Sequence, residues 1–258
     1  MKNQIDLGRH DERWRGARFL FLLLTLLVVL LIQAIFHGSV IADLAVALLY
    51  LNALLVAVSV APLPRWGRDV LLIAWGASLV LELASPAALG LGSLVIFRLI
   101  GAGLVAFCIV GILHYVACNR QATTDPLFAS LVAYFLMAMM FAQLYVALDR
   151  SIPGAFHEFG SFQEFGAGQE FGVAQQFGEA GGEGLRRELT TFNYFSFITI
   201  STVGFGDIVP KHPIAQTLVS IEAMIGQFYV TIVVAWLVSL YAMRVPTREL
   251  TRRDEMND

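Results

Sequence analysis

Residues 190–207 read Thr190-Thr191-Phe192-Asn193-Tyr194-Phe195-Ser196-Phe197-Ile198-Thr199-Ile200-Ser201-Thr202-Val203-Gly204-Phe205-Gly206-Asp207. The first 12 of these form an amphipathic run. It is too short for a hydrocarbon core that takes about 20 apolar residues to cross. Between two longer apolar segments, such a run predicts a half-length, re-entrant helix whose end is covered by protein or water. The next six residues alternate glycine with larger side chains, and glycine accepts positive φ at little steric cost.

The surroundings are those of a membrane protein. Hydrophobic residues make up 57% of the 258 and charged residues 14%, against about 45–50% and about 25% in soluble domains. Six apolar runs hold the excess: 18–36, 40–61, 69–85, 91–115, 127–149 and 213–243. Basic residues cluster in alternate connections. Lys2, Arg9, Arg13, Arg15 and Arg18 precede the first run, Arg65 and Arg68 follow the second, Arg120 follows the fourth, and Arg244, Arg248, Arg252 and Arg253 follow the sixth. By the positive-inside rule both termini are expected in the cytoplasm. The first run is expected to be a retained helix and not a cleaved leader, because it is too long for one and lacks a small-residue cleavage site. The fold class expected is an all-α membrane protein of six transmembrane helices, with the re-entrant helix between the fifth and sixth.

Residues 202–207, Thr-Val-Gly-Phe-Gly-Asp, resemble the filter of the potassium channel family, T-V-G-Y/F-G-D. The resemblance covers about 127–243: outer helix 127–149, pore helix 190–201, filter 202–207 and inner helix 213–243. It implies a homotetramer passing K+ as permeant ion, with no cofactor. Rings of backbone carbonyls would replace the ion's water shell. The backbone must then alternate its handedness to aim successive carbonyls at one axis, which suits Gly204 and Gly206. The resemblance assigns ion binding to the carbonyls of Thr202, Val203, Gly204 and Phe205. Ser201, Gly206 and Asp207 support the filter, and Val203 and Phe205 brace it against the pore helix. Phe205 lacks the hydroxyl that tyrosine offers in many relatives, which bears on filter rigidity.

In the inner helix the resemblance makes Gly226 a hinge, the alternative being a packing glycine. It sets Ala235, Val238 and Ala242 at a cytoplasmic constriction. Glu222 is an acid inside a span, which is costly and often functional. It either faces the cavity and attracts cations or, the preferred reading, accepts hydrogen bonds from Ser196, Thr199 or Tyr194.

Residues 18–115 are expected to form a four-helix unit that does not sense voltage. Its fourth span carries one basic residue, Arg98, whereas steep gating uses about 3–4 charges per subunit. Arg98 is expected to pair with Glu82, with Asp43 nearby, as a structural ion pair or, alternatively, a ligand- or proton-sensing site.

Residues 154–183 divide into GAFHEF, GSFQEF, GAGQEF, GVAQQF and GEAGGE. This low-complexity composition predicts an extracellular turret, spanning 150–189. From Asp149 to His212 eight acids face four bases, a net of −4, which favours cations at the outer mouth. Residues 1–17 and 244–258 read as cytoplasmic segments, and a bacterial inner membrane is expected. The partners expected are the bilayer, K+ and further copies of the chain. Nucleic acid is excluded by the net charge of −3 and only two lysines. An enzyme is disfavoured, because the five histidines are scattered. The competing readings are a non-conducting sensor or scaffold on a channel core, and a potassium transporter subunit.

Overall fold

The computed structural model describes residues 2–36, 40–60, 69, 71–73, 75–76, 91–118, 124–158 and 182–242. Helix α1 runs Lys2–Ile35, α2 Val40–Val60, α3 Leu91–Cys118 and α4 Thr124–Ser151. A strand β1, Phe156–Glu158, precedes α5, Gly182–Ile200; a second strand β2, Ile208–Pro210, precedes α6, Pro213–Ala242. Among the described residues three segments are long and apolar enough to cross a membrane: Val95–Cys118, Asp125–Ser151 and Pro213–Trp236. Shorter apolar stretches occupy Arg18–Gln33 in α1 and Leu44–Val58 in α2. The span expected at 69–85 lies largely outside the described residues, and Glu82 with it.

α4 is the hub. It packs against α1, α3, α5 and α6, and 67% of its membrane-length segment is buried against 11% for α6. Its small residues Ala129, Ala133, Ala138 and Ala142 are fully buried and let neighbouring helices approach closely. Asp125 in its first turn and Arg150 in its last complement the helix dipole. α6 begins with Pro213, which suits a first-turn position where no N–H is needed. The backbone N–H of Ile214 donates to Nδ1 of His212 at 3.3 Å, capping that helix.

α5 differs from expectation in length. It starts at Gly182, eight residues before Thr190, and spans 19 residues. The added turns contain Glu183, Leu185, Arg186, Arg187 and Glu188. These residues favour helix but carry no apolar stripe, so a search for hydrophobic runs passes over them. Likewise α1 continues as one helix through residues 2–17, ahead of its apolar part.

The second surprise is the sheet. β1 and β2 pair antiparallel, with Phe156 opposite Pro210, His157 opposite Val209 and Glu158 opposite Ile208. Residues 154–158 of the first repeat unit therefore join the folded core. Phe156 is 1% exposed. Its ring meets Phe192 edge-on at 4.9 Å between centroids and Tyr145 at 5.3 Å. Gly154, at φ +82°, turns the chain from α4 into this strand. The rest of the repeat, 159–181, lies outside the described residues.

Candidate functional site

The end of α5 and the loop after it carry the chemistry. The loop folds back onto the last helical turn: Thr202 N–H donates to Thr199 O at 2.9 Å, and Val203 and Gly204 N–H both donate to Ile198 O, at 2.9 and 3.1 Å. Ser201 Oγ donates to Phe197 O at 2.6 Å. Together these bonds satisfy carbonyls that a helix C-terminus otherwise leaves open. Ile200 O is taken by the hydroxyl of Tyr134 on α4, at 2.8 Å.

Positive φ recurs at every second residue: Thr202 at 60°, Gly204 at 50° and Gly206 at 80°. Glycine explains two of the three. Thr202 occupies the left-handed position that glycine usually fills after a helix. A β-branched residue there is an outlier, and such strain tends to sit at functional sites.

The outer end of the loop is tied back to α5. Tyr194 Oη donates to Asp207 Oδ2 at 2.8 Å, and Ile208 N–H donates to Asp207 Oδ1 at 3.1 Å. Beyond β2, Lys211 and His212 N–H donate to Ala155 O at 2.8 and 3.2 Å. The loop is thus fastened at its inner end by helix carbonyls and at its outer end by Tyr194 and the two-stranded sheet.

Between these anchors residues 201–206 are exposed. Val203 is 54% and Phe205 70% exposed. Within one chain neither side chain is packed against α5, so the expected bracing of both has no support from a single copy.

Glu222 is fully buried. Its carboxylate accepts from Tyr145 Oη on α4 and Ser196 Oγ on α5. Ser196 Oγ also lies 2.6 Å from Ala138 O. One of the three donors named from the sequence, Ser196, is at hand. Tyr194 is engaged with Asp207 instead, and Tyr145 enters from the outer helix.

Gly226, one turn further along α6, sits against the end of α5. A Cβ there would lie 2.4 Å from Ile200 O and 2.6 Å from Ile200 Cγ1. This close approach accounts for the glycine by packing, the alternative to a hinge. Ala235 is exposed; Val238 and Ala242 lie in α6 with their side chains outside the described residues. Arg98, on α3, donates to Gln143 Oε1 of α4 at 3.3 Å. Its expected partner Glu82 and the side chain of Asp43 lie outside the described residues, so the ion pair has no geometry to report.

Several contributors were not singled out from sequence: Tyr145, Tyr134, Phe156 and Glu158. The two tyrosines stand out only as hydroxyl-bearing residues in an otherwise apolar outer helix. Glu158 is half-buried beside β2, and its carboxyl is pushed above the usual range by burial first and by the charge of Asp207 second. Among the described residues no group of histidine, cysteine and acidic side chains is arranged to hold a metal.

No curated protein and no solved structure gives a significant match to the chain. Residues 178–242, about a quarter of the chain, match a family model described as an ion channel. That segment takes in α5, the glycine-alternating loop and α6, so the likeness to an ion channel rests on this part of the chain.

Proposed function

We propose that four copies of this chain surround one axis and conduct K+ selectively along it, through rings of carbonyls from Thr202, Val203, Gly204 and Phe205. The observation that carries this reading is the alternation of positive φ at 202, 204 and 206 in a loop anchored at both ends but exposed between them. Exposed backbone at membrane depth is tolerated only where it lines water or ions. A single copy supplies one side of such a path, and a cation stripped of water needs oxygens all around. The apolar surface of α6, including Met224, Phe228 and Ile232, is exposed in one chain and is available to neighbouring copies. In this reading α5 is re-entrant, since its uncharged part, 189–200, covers only about 18 Å at 1.5 Å per residue. Six helices cross the membrane, both termini are cytoplasmic and the membrane is the bacterial inner one.

Steep voltage gating is not expected. Arg98 is the sole Lys or Arg in α3, and one charge yields about 2.3 kcal/mol per 100 mV.

Tracer uptake into liposomes tests the proposal. Wild-type protein is expected to take up 86Rb+ against a K+ gradient, and Gly204→Asp, which places a side chain at φ +50° and a charge in the path, is expected to reduce uptake to background. Absence of wild-type uptake would refute the reading.

Glu158 gives a pH dependence. Its folded value lies above its unfolded one, so the folded state binds the extra proton and gains stability as pH falls through that raised value. Outer acidification removes this charge before that of an ordinary carboxylate. Conductance at low K+ is expected to fall over that range, and Glu158→Gln is expected to abolish that step, as read from conductance against outer pH.

A further inference from the structure

We propose that Glu222 is a positioning residue for the filter: by bridging Tyr145 and Ser196 it holds the carbonyl of Ile198 where the inner half of the filter needs it. The inference rests on the channel reading for its consequence in ion selectivity, but its structural part stands on geometry alone. Glu222 lies on α6, Tyr145 on α4 and Ser196 on α5, so one fully buried carboxylate joins all three helices of the pore unit. Tyr145 Oη donates to it, and the single hydroxyl proton of Ser196 lies between Glu222 and the carbonyl of Ala138, so the three groups form one connected network. Removing either hydroxyl leaves a fully buried acid short of a partner, which is far costlier than the loss of an exposed bond.

The link to the filter is short. Ser196 lies two residues before Ile198, whose carbonyl receives the N–H groups of Val203 and Gly204. These are the amides between the carbonyls proposed to face the ion. A displacement of the α5 end at Ser196 moves Ile198 O with it, because a helical turn is rigid over two residues. On the α6 side, Glu222 and Gly226 are four apart and share a face. That face meets α5 twice, by the polar bridge at Ser196 and by close backbone approach at Ile200. The pair therefore fixes both the position of the α5 terminus and its rotation, which neither contact does alone.

The test uses full-length protein and three near-isosteric variants. Tyr145→Phe and Ser196→Ala each remove one hydroxyl. Glu222→Gln keeps the bridge by accepting from one hydroxyl and donating to the other. Hydrogen exchange is read at the amides of Val203 and Gly204, together with the Rb+/Na+ permeability ratio in liposomes. Tyr145→Phe and Ser196→Ala are expected to exchange these amides about tenfold faster and to lower the permeability ratio by about tenfold, the scale of one lost charge-assisted hydrogen bond; Glu222→Gln is expected to stay within about twofold of wild type on both. Unchanged exchange at Val203 and Gly204 in both hydroxyl deletions overturns the proposal. So does a Glu222→Gln protein as impaired as they are, or reduced yield with an unchanged permeability ratio in the channels that assemble. Faster exchange in a protein whose wild type passes no Rb+ supports the positioning role and refutes the channel reading, so the two failures are distinguishable.

Discussion

Gly226→Ala is expected to destabilise the protein and abolish ion flux, although alanine is the better helix former. In an unobstructed helix interior this exchange favours the helix by about 0.8–1 kcal/mol. Here the new Cβ would lie 2.4 Å from Ile200 O and 2.6 Å from Ile200 Cγ1. The carbonyl is backbone and is held by Tyr134 Oη, so it cannot simply swing aside. Overpacking of this kind costs about 1–3 kcal/mol, repeated in every subunit, and it separates α6 from the turn that carries the filter. The sign of the effect separates packing from hinging: a glycine serving only as a hinge would be stabilised by alanine. Gly103, in α3, has nothing within 4 Å of an added Cβ, and Gly103→Ala serves as the control expected to be neutral or stabilising. Thermal unfolding in detergent, with flux measured on the same preparations, reads both effects.

Phe156→Ala is expected to cost about 3–5 kcal/mol, the usual range for emptying a buried aromatic site. Phe156 touches Tyr145, Phe192 and Phe195 at 4.9–5.7 Å between ring centroids. Those rings belong to α4 and α5, so the cavity opens beside the Glu222 bridge as well. The same substitution frees β1 from β2 and with it the stretch just outside Asp207. A lowered unfolding temperature, accompanied by faster exchange of the amides at 208–212, is the expected outcome. An unfolding temperature equal to wild type would show that the first repeat unit is not part of the core.

Features set by local sequence were legible before any coordinates. The long apolar helices follow from run length, and the glycine alternation at 204 and 206 follows from the chemistry of positive φ. The positive φ at Thr202 was not legible, because nothing in a threonine announces it. It arises from the way the loop returns to the carbonyls of Ile198 and Thr199. The β1–β2 pairing joins residues 50 or more positions apart, and three-residue strands have no usable periodicity. Nothing in the repeat therefore sets Phe156 apart in the sequence, although it is packed in the core. The start of α5 was missed because charged helix formers carry no apolar stripe. Glu222 declared itself as an acid in a span, but its partner Tyr145 comes from another helix 77 positions away, a distance over which sequence pattern says nothing. Arg98 shows the same limit: Gln143, its neighbour on α4, is an ordinary polar residue in the sequence.

The reversal potential of the purified, reconstituted protein under bi-ionic conditions, with K+ on one side and Na+ on the other, tests the central claim most directly. A tetrameric particle whose current reverses far from zero, towards the K+ equilibrium potential, is the predicted result. A reversal potential at zero, or full conduction by a particle of one chain, would contradict it.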